Sequence, residues 1–280
     1  MHGNLVELVG WCHRRRRREY LLVYKFMPNR SLDKHLYDPA DCMPWPRRYN
    51  IAMGLAAALR YLHHECQPNV VHRDVKPSNV MLDSNFNAKL GDFGMARKLD
   101  PGEEYRQTTL VTGTPFYVAP EYQRDWQKTD VYSFGIVALE IASGKSIQVD
   151  NHLVNWGRDL YDSGQIQTAA DPRLNGQFDA EQMKRLLVVG LWCSYPDYVL
   201  RPTMQVAIPF LEGAPLRELP PARPSQEYRL YGGPSDEIFA SALSNFTTGT
   251  AAIMPAPTAS LNLAAPAPSS TTFFSTQLDD

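Results

Sequence analysis

VVHRDVKPSNVMLDSNFNAKLGDFG, residues 70–94, is the stretch on which the reading of this chain turns. Val80, Met81 and Leu82 form one short apolar run, Ala88 and Leu90 form another, and Asp83-Ser84-Asn85 between them is turn chemistry, so a short β-hairpin is expected. A hairpin brings its two ends together. Asp74 and Asn79 before it and Asp92 after it therefore converge on one small volume. Carboxylate and amide oxygens gathered there suit Mg²⁺, a hard cation that takes oxygen ligands and is often shared with substrate phosphates. Asp74 is then left to orient a hydroxyl. Taken singly, an H-R-D or a D-F-G triplet is commonplace in unrelated proteins. The ordered set H-R-D-x-K-x-x-N and then D-F-G, wrapped around a hairpin, is far more specific.

The rest of the composition sets bounds. The chain has 280 residues, enough to bury a sizeable core as one large domain or two small ones. Its formal net charge of −2 gives no global pull toward nucleic acid or membrane. Cys12, Cys42, Cys66 and Cys193 are scattered without a C-x-x-C or a zinc-like His spacing, and read as reduced, mostly packed thiols of an intracellular protein. No apolar run approaches the roughly 20 residues that a membrane span needs. His-Gly-Asn after Met1 offers no secretory signal.

Working outward toward the N-terminus, Leu5, Val6, Leu8, Val9 and Trp11 read as one strand and Leu21 to Tyr24 as a second. Arg14 to Arg18 lie between them. Five arginines in a row admit a nucleic-acid or anionic-lipid reading, but a run this short between two strands is better explained as a solvated turn. Ser31-Leu32-Asp33 looks like a helix start. Residues 47–66 form a helix by the spacing of Ile51, Leu55, Leu59 and Leu62, which share one apolar face.

Beyond the hairpin, residues 95–117 are polar and carry Thr108, Thr109, Thr112 and Thr114 with no clear periodicity, as functional or disordered segments do. That segment closes on Ala119-Pro120-Glu121. Asp130 is expected to cap an almost wholly apolar helix, 131–143, which belongs in the middle of a domain. Asp179 and Gln182 have the spacing of a capping box. A last helix starts at Arg201-Pro202, and Pro209 should kink or end it. From about Ala214 the composition shifts to Pro, Ala, Ser and Thr, which reads as a largely disordered tail.

These pieces resemble a known family. NLVELVGWCH from Asn4, LLVYKFMPNRSLDKHLY from Leu21, VVHRDVKPSNVMLD, GDFGMAR and TDVYSFGIVALEIASGK from Thr129 look like the catalytic domain of a plant receptor-like serine/threonine protein kinase, of the legume-lectin receptor kinase group. The resemblance covers residues 4–224. It implies an α+β, protein-kinase-like fold, with a two-stranded remnant of the upper lobe over 1–27, a mostly complete helical lower lobe over 28–213, and the tail over 214–280. It also implies ATP and Mg²⁺ as cofactors, protein substrates rather than nucleic acid, and a cytoplasmic place in receptor signalling.

Carried over residue by residue, the resemblance makes Asp74 the base that orients the substrate hydroxyl, and Lys76 the cation that neutralises the moving phosphoryl group. Asn79 and Asp92 become the Mg²⁺ ligands, Asp92 bridging to the nucleotide phosphates. Lys76 is the serine/threonine form, and Thr114 matches the threonine that meets the catalytic Asp and Lys in such kinases. Tyr24 falls at the gatekeeper of the adenine pocket, Met27 in its hinge and Met81 on its floor. Asp33 either reaches the ribose or caps a helix. Thr108, Thr109 and Thr112 are phosphorylation candidates with Arg73 as their basic partner, or simply polar loop residues. Glu121 and Arg201 imply a buried ion pair, and Asp130 an anchor for the backbone of the HRD loop.

The sequence also departs from the pattern. It contains no G-x-G-x-x-G loop, no strand lysine and no helix glutamate to pair with that lysine. The segment from Glu121 to Asp130 is shorter than usual. Two readings therefore stand: an ATP-dependent serine/threonine kinase represented by a truncated chain or incomplete gene model, and a catalytically inactive, pseudokinase-like binding module. A small-molecule phosphotransferase is a third, and Ala119-Pro120-Glu121 argues against it.

Overall fold

The structure, a computed structural model, describes residues 2–14, 19–40, 42–99, 113–121 and 126–221. The expectations for the arginine turn at Arg15 to Arg18, for Thr108, Thr109 and Thr112, and for 222–280 lie outside those residues. Strands β1 (Leu8–Arg14) and β2 (Glu19–Tyr24) pair antiparallel from Arg14↔Glu19 to Leu8↔Tyr24, with a bulge between Leu8 and Gly10. The first strand starts at Leu8 rather than at Leu5, because the backbone of residues 4–6 has another partner. Val6 N donates to Leu90 O at 2.9 Å, and Leu90 N donates to Asn4 O at 2.8 Å. Every residue of β2 is exposed, so this hairpin lies clear of the core among the described residues.

Helix α1 (Asp33–Leu36) is a single turn that buries Leu36, with Leu32 beside it. Helix α2 (Trp45–Arg60) carries Pro46 in its first turn, where a missing N–H costs no intrahelical bond. Ile51, Leu55 and Leu59 form its buried stripe, as their spacing requires. The helix was expected to reach Cys66. Regular α-helical bonding instead ends at Arg60, and Tyr61–Glu65 continues as a wider π turn closed by Cys66 N on Tyr61 O at 2.8 Å. That turn buries Leu62 and His63.

Four short strands follow: β3 (Asn69–Val71), β4 (Val80–Leu82), β5 (Ala88–Leu90) and β6 (Arg97–Leu99). β4 and β5 make the expected hairpin, Val80↔Leu90 to Leu82↔Ala88, with those four side chains buried and Met81 and Lys89 on the less buried face. β3 pairs antiparallel with β6 across the base of the loop.

Helices α3 (Trp126–Ser143), α4 (Leu153–Asp162), α5 (Ala180–Cys193) and α6 (Met204–Leu211) complete the lower body. α3 is buried on nearly every side, and its contact with α5 is close. A Cβ on Gly135 would lie 2.5 Å from Ser194 N and 2.7 Å from Gly190 O. Contrary to expectation, Asp130 does not cap α3 but lies inside it, and its carboxylate accepts from the HRD loop. Asp179 caps α5 by accepting from Gln182 N at 2.9 Å. The other half of the capping box is absent, since Gln182 Oε1 accepts from Trp45 Nε1 at 3.0 Å. α6 begins at Met204 rather than at Arg201-Pro202, and Thr203 caps it by accepting from Val206 N at 3.3 Å. Pro209 sits inside α6, which ends two residues later at Leu211.

The tail expected from Ala214 does not begin there. Residues 214–221 pack back along the helices: Arg185 Nη1 donates to Ala214 O at 2.5 Å and Arg158 Nη2 to Pro220 O at 2.7 Å. Tyr195 Oη donates to Pro221 O at 2.6 Å, Leu219 N donates to Tyr161 Oη at 3.1 Å, and Leu219 joins the core. Apolar and carbonyl groups spaced to meet those partners outweigh the prolines. Proline lacks only a donor, and its carbonyl still accepts.

Candidate active site

The HRD loop, 72–74, joins β3 to the short 3₁₀ turn Pro77–Asn79, and its shape is set from below. Asp130, fully buried in α3, accepts from His72 N and Arg73 N, each at 2.7 Å, and from His63 Nε2 at 2.9 Å. Burial works to raise the Asp130 pKa, but the hydrogen bond and charge of His63, together with His72, hold it below the usual carboxylate range. His72 is itself buried. Its Nε2 donates to Gly91 O at 2.9 Å, tying the loop to the D-F-G segment, and its ring meets Phe93 edge-on at 5.0 Å.

Asp74, only 7% exposed, is the centre of the next layer. Lys76 Nζ donates to its Oδ2 at 2.7 Å and Asn79 Nδ2 to the same oxygen at 3.0 Å. Thr114 Oγ1, 40 residues away in sequence, donates to Asp74 Oδ1 at 2.8 Å. Lys76 Nζ also donates to Thr114 Oγ1, at 2.7 Å, which closes a triangle of cation, carboxylate and hydroxyl. Burial pushes the Asp74 pKa up, but the bonds from Lys76 and Thr114, the Lys76 charge and Asn79 outweigh it, so the carboxyl is held below its ordinary value and is ionised near neutral pH.

Asn79 Nδ2 also donates to Asp74 O at 2.8 Å. With the amide nitrogen so engaged, the amide oxygen remains as the acceptor that a cation could use. Gly91 N donates to Asn79 O at 2.9 Å, which brings the two ends of the β4–β5 hairpin together. Asp92 follows in a left-handed conformation, φ 58°, with its carboxylate exposed and accepting from Gly94 N at 3.3 Å. An amide oxygen and an exposed carboxylate on linked backbones fit a hard cation that keeps part of its water shell or shares phosphate oxygens.

The residues expected around adenine are more loosely placed. Met27 is buried and Met81 half-buried, and an antiparallel bridge joins Ser31 to Met81. Tyr24 is exposed at the end of β2. Asp33 accepts from Ser31 Oγ at 2.5 Å and lies 3.0 Å from Lys34 Nζ, and its side chain caps no helix N–H. Glu121 and Arg201 form the expected ion pair, two parallel bonds of 2.5 and 2.7 Å, with Arg201 buried.

Several participants were not legible beforehand. His63, buried within the π turn, reaches Asp130, and nothing in the spacing of that helix marks the turn. Tyr117 Oη donates to both oxygens of the fully buried Glu140, at 2.9 and 3.1 Å, pinning the segment after Thr114 to α3.

Residues 1–208 match the protein kinase domain family. This chain belongs to the protein kinase family. Its relatives include L-type lectin-domain containing receptor kinase VIII.1 of Arabidopsis thaliana, 47% identical over 243 residues, which are 81% of this chain and 34% of that protein. L-type lectin-domain containing receptor kinase IX.1 of the same plant is 48% identical over 242 residues, 82% of this chain and 37% of the relative. A rice relative, L-type lectin-domain containing receptor kinase S.7, is 46% identical over 229 residues, 80% and 32% of the two chains. The kinase chain thus spans about a third of the length of these curated relatives. Among solved structures it is similar to the pseudokinase domain of BIR2, an immune regulator of the RLK/Pelle family. That match has 28% identity and a TM-score of 0.64, and covers 88% of this chain and 70% of that one.

Proposed function

We propose that the site around Asp74 is the lower half of an ATP- and Mg²⁺-dependent serine/threonine protein kinase centre, acting on protein substrates within receptor-like kinase signalling. The observation that carries the reading is the triangle of Asp74, Lys76 and Thr114. An ionised carboxylate lies beside a lysine and already accepts from a hydroxyl, the geometry that a substrate hydroxyl would adopt in Thr114's place. In this reading Asp74 orients the substrate hydroxyl and takes its proton as the new oxygen–phosphorus bond forms and the bond from the γ-phosphorus to the β–γ bridging oxygen breaks, ADP leaving with that oxygen. Lys76 stays within reach of both groups and offsets negative charge as the phosphoryl group moves. Asn79 and Asp92 would hold Mg²⁺, which supplies charge neutralisation at the nucleotide phosphates. Met27 would lie in the hinge of the adenine pocket and Met81 would form its floor.

The second reading is a non-catalytic binding module. It is favoured by the likeness to a pseudokinase. The 280 residues by themselves carry no G-x-G-x-x-G loop to contact the phosphates. Each lost charge-stabilising contact costs on the order of a hundredfold to a thousandfold in rate. The 280-residue chain is therefore expected to show no measurable ³²P incorporation from labelled ATP. Strong incorporation that disappears in Asp74→Asn would refute the non-catalytic reading. Fusion to an upper lobe that supplies a Gly-rich loop and lysine is expected to give Mg²⁺-dependent phosphorylation of Ser or Thr. If that fusion bound no nucleotide in a thermal-shift assay, the kinase reading would fail.

A further inference from the structure

Trp126 opens the described part of α3 and is 2% exposed, although nothing in the phosphoryl-transfer chemistry requires an aromatic residue there. Its indole carries the guanidinium of Arg73, whose Cζ stands 4.7 Å from the ring centroid. Asp130, which accepts from the Arg73 amide at 2.7 Å, lies four residues further along the same helix and so on the same face. One face of α3 therefore grips Arg73 twice, by its backbone and by its side chain. The grip is packed: Trp126 and Val71 form a separate small apolar cluster, against which Leu99 and Val118 rest. Arg73 also adopts a left-handed backbone, φ 70°, which a non-glycine residue holds only when its surroundings impose it.

Arg73 immediately precedes Asp74. Its carbonyl faces the segment that delivers Thr114, since a Cβ on Gly113 would lie 3.3 Å from Arg73 O. What holds Arg73 thus holds both the base and the hydroxyl that the base accepts from. A guanidinium stacked on a ring uses its face for the attraction and keeps its in-plane N–H donors. The stack needs no anion.

We propose that Trp126 is a positioning residue that holds Arg73, and through it the HRD loop, in place without a phosphate on Thr108, Thr109 or Thr112. The inference rests on the kinase reading for its meaning, but the test needs neither nucleotide nor turnover, so the two can fail separately. The full chain, treated with phosphatase and labelled with ¹⁵N-arginine, would be examined by NMR, with the Arg73 Nε–Hε signal assigned from Arg73→Gln. That signal is expected upfield of the other arginines because of the indole ring current. It should stay displaced in Trp126→Phe and collapse toward the ordinary arginine position in Trp126→Leu, with the His72 and Arg73 amide signals moving too. A parallel double-mutant cycle on urea unfolding, using Arg73→Gln and Trp126→Leu, is expected to show a coupling of about 2- to 30-fold in the unfolding constant. An Arg73 signal that is undisplaced in the dephosphorylated chain and shifts only after phosphorylation would overturn the proposal. So would unchanged loop signals in Trp126→Leu together with additive unfolding effects.

Discussion

Buried carboxylates in this molecule fall into two classes, set by the donors that face them. Asp74 has the Lys76 ammonium, Asp130 has His63 Nε2 and the His72 and Arg73 amides, and both are held below the ordinary carboxylate range. The stability they contribute is present above the unfolded value of 3.8 and is lost as pH falls through their folded values. Glu140 has hydroxyl and amide donors but no cation. Burial raises it to about 7 from 4.5, against the pull of Ile147 N–H and Tyr117. The native state therefore holds that proton more tightly than the unfolded chain, and stability from this group falls as pH rises from 4.5 to about 7. Glu140→Gln should remove the slope. By urea unfolding, the variant is expected to gain about 3 kcal/mol on wild type between pH 4.5 and pH 8. Parallel stability curves for the two proteins would contradict the assignment.

At the level of elements, the contrast is between α3 and the β1–β2 hairpin. α3 is held by a close approach that only glycine permits, so Gly135→Ala would force α3 from α5 or strain the backbone of Ser194. An overpacked contact of this kind costs about 1–3 kcal/mol. Gly135→Ala should accordingly lower the midpoint of chemical unfolding, whereas an alanine at Gly164, where a Cβ meets nothing within 4 Å but φ is +73°, should cost only the left-handed strain. Equal losses at the two sites would count against close packing as the cause. The hairpin is the reverse case. Trp11 and Tyr20 are 66% and 69% exposed, and a two-stranded hairpin without a covered face is marginal by itself. Its strands were legible from two short apolar runs, Leu5 to Trp11 and Leu21 to Tyr24. The start at Leu8 was not, because Asn4 and Leu90 are 86 positions apart and only the folded chain sets them side by side.

Across the whole molecule, long-range ties lock the lower body. Arg201 donates to Glu121 and to carbonyls of Lys128 and Pro196, so it joins the Ala119-Pro120-Glu121 stretch to α3 and to the turn before α6. Arg48 and Asp171 form a fully buried pair at 2.8 Å. Residues 214–221 close the outside, with Leu219 seated in the core. Leu219→Ala is expected to cost about 2–4 kcal/mol in urea unfolding. A change within about 0.5 kcal/mol would mean that the segment lies free in solution.

Residue types and local spacing were sufficient to mark which side chains gather at the candidate site. The set Asp74, Lys76, Asn79 and Asp92, the hairpin between them, and the apolar faces of α2 and α3 all follow from neighbours within a few turns. The meetings of Thr114 with Asp74 and of Asp130 with the HRD backbone were implied by the resemblance, whereas two things needed the tertiary structure: the contact of His63 with Asp130 and the stacking of Arg73 on Trp126. Each depends on a contact between segments distant in sequence, where burial strengthens a polar or cation–π interaction that no local periodicity encodes.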